Sequence, residues 1–330
     1  METGCDVVGI GNALVDVIAS ADDAFLADHG LVKGSMALVD AEGAERLYRA
    51  MGPAVEVSGG SAANTMAGLA SLGTRSAFIG RVAGDQLGEV FTHDLRAAGV
   101  GFDPPPAGSV TSPTGRSLIV VTSDAQRTMS TLLGAASELR PDDVDDELVA
   151  GAQVTYLEGY LFDRAPAREA FEKATAVAHG AGRRVAVSLS DSFCVERFRD
   201  EFLRLVEFGA DILFANEDEL CLLSGTDDPE AALTEVERCC PLVVMTRGAA
   251  GSTVVAHGQR HDVEALPAAQ VVDTTGAGDL YAAGFLHGLV RGLDPAICGR
   301  LGAMAAAEVI SHVGARPETS LADLVAPLMG

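Results

Sequence analysis

Short apolar runs rich in Val, Ile, Leu and Phe recur along the chain, and stretches with helical spacing separate them. "CDVVGIG" (5–11), "RSAFIGRV" (75–82), "VTYLEGY" (154–160), "RRVAVSLS" (183–190), "DILFAN" (211–216) and "LVVMTRG" (242–248) read as buried strands. Helices are predicted at 61–72, 85–98, 165–180, 216–224 and 229–239. Several end at a glycine suited to a C-terminal cap: Gly73, Gly99, and Gly180 or Gly182. This alternation predicts βαβ units, so the fold class is α/β: a mostly parallel central sheet flanked by helices on both faces.

Two stretches break the rhythm. Residues 15–57 and 108–133 carry short β-like pieces ("VDVIAS", "SMALVD", "AVEVSGG", "RSLIVVTSD", "QRTMST") with no obvious crossover helix. They predict a small β-sheet lid folded over one end of the main sheet, with "PPP" at 104–106 marking the entry to its second piece. Open α/β sheets bind ligands at the carboxyl ends of their strands, so a lid there would close over a site. The reading is one domain, 1–330, with a lid contributed by about 15–57 and 108–133.

Composition narrows the function. Apolar residues make up 48% of the 330, enough for a full core. A net charge of −24, with 23 Lys and Arg, leaves no basic face to assemble, which argues against a nucleic-acid partner. No 18-residue apolar run occurs, and "METGCDVVGIG" lacks a basic stretch followed by an apolar signal core. The expectation is a cytoplasmic protein that does not enter membranes. Cys5, Cys194, Cys221, Cys239, Cys240 and Cys298 show neither zinc-ligand nor redox spacing and read as buried free thiols.

The chemistry concentrates in "VVDTTGAGDLYAAGFLHGL" (271–289). Gly276, Ala277 and Gly278 form a glycine-rich turn before a helix-like run, where unpaired N–H groups can cradle an anion. There is no G-K-[ST], so this is not a Walker-type phosphate loop. Asp279 follows at once. Phosphoryl transfer needs both features: backbone donors for the spread negative charge, and a carboxylate to take the acceptor's proton. A helix N-terminus favours an ionised Asp279. The plain alternative is a strand-to-helix turn with Asp279 as its N-cap.

Other candidates fit the same reaction, each beside a plainer alternative. "VSGGSAANTMAGLASLG" (57–73) is a second glycine turn entering a helix; Gly59 and Gly60 would let a ligand touch the backbone, and Asn64 lies about one turn in. Close helix packing through Ala and Gly explains the same residues. Asp16 ends an apolar strand, or sits in a surface turn. Asn216 and Glu219 share a helix face and could order Mg²⁺-bound water; otherwise Asn216 caps the helix and Glu219 is solvated. "VVGIGNA" (7–13) suggests a dinucleotide-binding turn, but Leu14 stands where the third glycine is needed.

Together these pieces resemble the ribokinase/PfkB carbohydrate-kinase family. Its G-G-x-x-x-N signature appears as Gly59, Gly60 and Asn64, and its N-x-x-E motif as Asn216 and Glu219. Its D-T-x-G-A-G-D signature appears as Asp273, Thr274, Thr275, Gly276, Ala277, Gly278 and Asp279, with Leu280-Tyr281 following where Ala-Phe is common. Within the family the chain is most similar to adenosine kinases, through "GIGNALVDVIA", "FLADHGL", "SLSDSFCVERF" and "ADILFANEDE".

The resemblance implies a ribokinase-like fold and an ATP- and Mg²⁺-dependent kinase acting on a primary hydroxyl, most closely the 5′-hydroxyl of adenosine. A PfkB-type sugar kinase acting on ribose or another furanose is the alternative, and a non-catalytic nucleoside- or sugar-binding protein is the reading from another class. By resemblance, Asp279 is the base beside the anion hole of Gly276, Ala277 and Gly278, and Arg127 reaches the phosphates on lid closure. Asp16, Gly59, Gly60 and Asn64 surround the ribose, and Asn12, Leu14, Tyr160, Phe162 and Phe193 surround the base. Asn216, Thr246, Gly248 and Thr275 border ATP, and Glu219 holds Mg²⁺ through water. A monovalent cation such as K⁺, and a monomer or homodimer, stay open.

Overall fold

The structure is a computed structural model and describes residues 4–105, 110–124, 126–267 and 270–329. In chain order the first half runs β1 (Val7–Ile10), β2 (Leu14–Ser20), α1 (Asp23–Asp28), β3 (Met36–Leu38), α2 (Ala41–Ala50), β4 (Ala54–Gly59) and α3 (Ser61–Ser71). It continues with β5 (Ser76–Ile79), α4 (Gln86–Ala97), β6 (Gly101–Phe102), β7 (Gly115–Val121), β8 (Arg127–Leu132) and α5 (Asp146–Gly151). Then come β9 (Val154–Glu158), α6 (Ala165–Gly180), β10 (Arg184–Ser188), α7 (Ser192–Arg197), α8 (Arg199–Phe208), β11 (Ile212–Asn216), α9 (Glu217–Ser224) and α10 (Pro229–Val236). The last stretch holds β12 (Leu242–Thr246), β13 (Ser252–Ala256), β14 (Gln259–Val263), α11 (Ala277–Val290), α12 (Pro295–Val309) and α13 (Leu321–Met329).

Nine strands form the main sheet in the order β14-β13-β12-β11-β10-β9-β1-β5-β6, parallel except where β13 pairs with β12 and β14. The parallel strands are buried runs such as Val7–Ile10 and Val154–Glu158, as a sheet covered on both faces requires. One apolar cluster, including Phe285 and Leu301, lies on one face, and a second, including Phe171 and Phe202, on the other.

Five strands form the smaller sheet, in the order β3-β8-β7-β2-β4. It contains the β-like pieces read from the sequence. The first piece also holds helices α1 and α2, which the sequence reading left out. Their signals are present: Asp22 and Asp40 each cap a helix by accepting from a backbone N–H three residues on. Of the 108–133 piece, residues 108, 109 and 125 lie outside the described residues, as does Pro106 of "PPP".

The hairpin β13–β14 was also unread. Its two-residue turn places His257 at φ 50° and Gly258 at φ 77°, the left-handed pair that matches strand twist in a tight hairpin. All six cysteines are free, but Cys239 is exposed and Cys5, Cys194 and Cys221 are half-buried, so only Cys240 and Cys298 are the buried thiols expected.

Candidate active site

Helices α3 and α11 approach so closely that their first turns meet. A Cβ on Gly68 would lie 2.7 Å from Leu280 Cδ1 and 2.8 Å from Ala283 Cβ, so only glycine permits this spacing. At the meeting point Ser61 Oγ donates to Asp279 Oδ1 at 2.6 Å, and Asn64 Nδ2 donates to Oδ2 at 3.0 Å. Thr65 Oγ1 reaches the Asp279 carbonyl at 3.2 Å. Small residues in α3 therefore serve packing and site together. Asn64 Oδ1 is buried without a partner among the described residues, an acceptor left beside the carboxylate.

Asp279 is not an N-cap. Gly276, at φ 77°, caps α11, and Asp279 is its third residue. Gly276 also makes room for a neighbour, since a Cβ there would lie 2.7 Å from Ala315 Cβ. Gly278 faces open space, with no heavy atom within 4 Å of its Cβ position. Ala277 N–H bonds to Thr274 O, whereas the N–H groups of Gly276, Gly278 and Asp279 find no acceptor among the described residues. Unpaired donors at an open helix N-terminus fit a phosphate group.

Burial pushes the Asp279 carboxyl above the usual carboxylate value, while hydrogen bonds from Ser61 and Asn64 and the charge of Arg316 pull it down. The helix end alone suggested an ionised group; burial opposes it, and the net direction is upward. A raised value makes a stronger base once the proton has left.

Asp16 belongs to the same cluster and not to a surface turn. It is half-buried on β2 with its pKa raised to about 6 by burial, Arg316 and Arg127 opposing and Asp279 adding to the rise. The glycine pair serves chain packing here. A side chain on Gly59 would strike the Asp16 carboxylate, and Gly60, at φ 91°, abuts the Asn12 carbonyl. The glycines of "VVGIGNA" have similar reasons: Gly9 abuts Met66, and Gly11 lies against Ala62 and Glu158.

Glu158 was missed by sequence reasoning. It is 1% exposed at the end of β9, and its pKa is raised to about 7 by burial. Oε1 accepts from Asn12 N at 3.2 Å and Asn12 Nδ2 at 2.8 Å, and Oε2 accepts from Ala62 N at 2.7 Å. It ties the end of β1 to the start of α3. Asn12 is thus held by Glu158. A carboxylate closing the apolar run "VTYLE" was the available signal.

The aromatic candidates separate. Phe162 is 3% exposed and stacks on Phe202 at 4.0 Å between ring centres, so it lies in the core and cannot line a base slot. Tyr160, two residues earlier, is half-buried; burial and the charges of Asp191 and Asp279 raise its pKa. Phe193 is 54% exposed on α7 with the Arg197 guanidinium 5.2 Å from its ring centre. Leu14 is half-buried where β2 pairs with β4 and β7.

Asn216 and Thr246 are register partners at the carboxyl ends of β11 and β12, and Gly248, at φ 53°, opens into free space just beyond. Asn216 does cap its helix, in a reciprocal box with Glu219: Glu219 N donates to Asn216 Oδ1 at 2.8 Å, and Asn216 N and Nδ2 donate to the Glu219 carboxylate at 3.0 and 2.8 Å. Glu219 is not solvated. It is 6% exposed, with its pKa raised to about 7 by burial.

Arg127, on β8 of the smaller sheet, sits 2.6 Å from Asp273 Oδ2 and donates to Thr275 Oγ1 at 3.2 Å. Asp273 also accepts from the N–H groups of Thr275 and Gly314. The predicted lid arginine therefore meets the D-T-x-G-A-G-D segment directly. Arg316 has no counterpart in the sequence reading. Its guanidinium donates to Ser58 O, Ala63 O and Ser58 Oγ at 3.3, 3.1 and 3.2 Å.

The sequence pattern of the pfkB family of carbohydrate kinases matches residues 38–321. The chain belongs to the pfkB family of carbohydrate kinases. It is 27% identical to the adenosine kinase of Saccharomyces cerevisiae over 330 residues, 93% of this chain and 95% of that one. The solved adenosine kinase of Sinorhizobium meliloti is 52% identical, with a TM-score of 0.91 over 99% of this chain and 100% of the other. The structure of a probable sugar kinase protein from Rhizobium etli CFN 42 is 48% identical, with a TM-score of 0.92 over 98% of each chain. The protein is a phosphotransferase with an alcohol acceptor on a ribokinase-like α/β fold. PfkB-family kinases use ATP, typically with Mg²⁺. Unpaired N–H groups beside open Gly278 fit such a nucleotide's phosphates. Among the described residues no group of three or more His, Cys, Asp or Glu forms a metal cage, and no helix is long and apolar enough to cross a membrane.

Proposed function

We propose that this pfkB-family kinase phosphorylates the 5′-hydroxyl of a nucleoside, adenosine first, with Asp279 as the general base. The observation that carries the catalytic assignment is the Asp279 carboxylate, fixed by Ser61 and Asn64 at an open helix N-terminus where the N–H groups of Gly276, Gly278 and Asp279 lack acceptors among the described residues. ATP with Mg²⁺ supplies the transferable phosphoryl group. Asp279 orients the acceptor hydroxyl and takes its proton; the N–H groups of residues 276–279 stabilise negative charge at the phosphoryl oxygens. Asp16 and the unpartnered Asn64 Oδ1 bind sugar hydroxyls. Arg127 contacts the phosphates from the smaller sheet, Asn216, Thr246 and Gly248 border the nucleotide, and Glu219, its carboxylate held in the cap with Asn216, would reach Mg²⁺ only through water.

Adenosine is favoured by the 52% identity to the Sinorhizobium meliloti adenosine kinase over nearly the whole of both chains. A furanose sugar is the second reading, and the burial of Phe162 favours it, because one expected base-stacking ring is in the core. Comparing kcat/KM for adenosine, inosine, guanosine and ribose decides between them. Base stacking adds roughly 1–3 kcal/mol, so adenosine should exceed ribose by about 5- to 150-fold. A higher kcat/KM for ribose rejects the nucleoside reading.

A further inference from the structure

We infer that Arg316 is a positioning residue of the phosphotransferase site: its guanidinium clamps the turn between β4 and α3 from which Ser61 and Asn64 reach Asp279. The inference rests on the reading of Asp279 as base.

Its three acceptors bracket that turn. Ser58 O and Oγ lie at the end of β4, and Ala63 O lies in the first turn of α3. Between them stand Gly59, Gly60, Ser61 and Ala62, and Asn64 follows Ala63 directly. Fixing both ends sets Gly59 against Asp16 and aims Ser61 and Asn64 at the Asp279 carboxylate.

The segment carrying Arg316 touches the other glycine turn as well. Gly314 N–H donates to Asp273 Oδ2 at 2.8 Å, and Ala315 packs on Gly276. Three consecutive residues thus hold two turns that are far apart in sequence. A planar guanidinium with several donors suits three fixed acceptors; a lysine ammonium does not span them.

Charge points the same way. Asp279 is faced by Asp16 from β2, by Glu158 and Tyr156 from β9, and by Tyr160 from the turn after it. Its contacts from α3 are the neutral Ser61 and Asn64. Arg316 is the cation that lowers the Asp279 pKa; it also faces Asp94 of α4, and Arg127 faces Asp16. Burial brings the guanidinium pKa down to about 10, so it stays charged at neutral pH.

The test is kcat/KM against pH for wild type, Arg316→Gln and Arg316→Lys, with Asp279→Asn alongside. Arg316→Gln should move the acidic limb upward by about one pH unit or more, since the Ser61 and Asn64 hydrogen bonds that Arg316 positions, and its charge, all hold the Asp279 carboxyl down. Arg316→Lys keeps the charge, so its limb should return toward wild type while the acceptor KM stays raised. A limb in Arg316→Gln that superimposes on wild type overturns the inference, whatever the change in Tm. If Arg316→Gln does not fold, Arg316→Lys decides: a raised acceptor KM supports the clamp, and a wild-type KM rejects it. Asp279→Asn separates the two claims. Collapsed turnover there with an unmoved limb in Arg316→Gln rejects Arg316 alone, whereas near-normal turnover in Asp279→Asn rejects the base and the inference with it.

Discussion

Arg127 and Asp273 tie the smaller sheet to the segment before α11 through an ion pair at 2.6 Å, with both side chains largely buried. One comes from the smaller sheet and the other from the segment leading into the glycine turn. The contact places a cation beside the open N-terminus of α11 before any nucleotide is considered. Arg127→Ala should therefore lower kcat by about 10²-fold or more, with a smaller change in acceptor KM, if the charge acts mainly in the transition state. It should also lower Tm, because Asp273 loses its partner while remaining buried. Asp273→Asn separates the effects: it keeps Arg127 available, so kcat should fall less than in Arg127→Ala. Equal losses in kcat would show that Arg127 acts by holding the smaller sheet to the segment before α11.

Asp279→Asn should reduce kcat by about 10²–10⁴-fold, the usual contribution of a general base. Gly276 is the helix cap, so α11 does not need Asp279 for capping, and burial opposes rather than favours its charge. Tm should remain close to wild type and nucleotide binding should persist. Turnover within a few-fold of wild type would remove Asp279 from the base role.

Glu158, Glu219 and Asp16, together with Asp279, make stability depend on pH. Glu158 and Glu219 rise from 4.5 to about 7, and Asp16 from 3.8 to about 6, all through burial. A raised folded pKa means the folded state binds the proton more tightly. The associated stability is complete below the unfolded value and is lost as pH rises through the folded one. Ligand-free protein should lose stability between about pH 4 and 7, by at most on the order of 3 kcal/mol per group. Glu158→Gln and Glu219→Gln should each flatten Tm against pH in that window. An unchanged slope in both variants would mean other groups set it.

Phe162 and Phe193 should respond differently to truncation. Phe162→Ala removes a ring stacked in the core and should cost about 3–5 kcal/mol, without selective loss of a nucleoside over a sugar. Phe193 is 54% exposed, so Phe193→Ala should leave Tm nearly unchanged and raise KM for adenosine more than for ribose. Equal effects on both acceptors would take Phe193 out of the base slot.

What the sequence determined by itself is local. Buried strands such as Val7–Ile10, glycine caps such as Gly73 and Gly99, and the ordered segments Gly59-Gly60-Asn64 and Asp273–Asp279 follow from apolar runs, backbone freedom and spacing within a few residues. Those were legible because their physical cause lies in neighbouring positions. Tertiary structure decided which side of each element a group faces and what it meets. Phe162 and Tyr160 share one short turn, yet Phe162 entered the core while Tyr160 lies near Asp279. Glu158 and Arg316 carry no local signature, because their partners lie 146 and 258 positions away at Asn12 and Ser58. Even Asp279, recognised from its motif, takes its environment from Ser61 and Asn64 across the α3–α11 contact, since burial and hydrogen bonding depend on packing between distant segments.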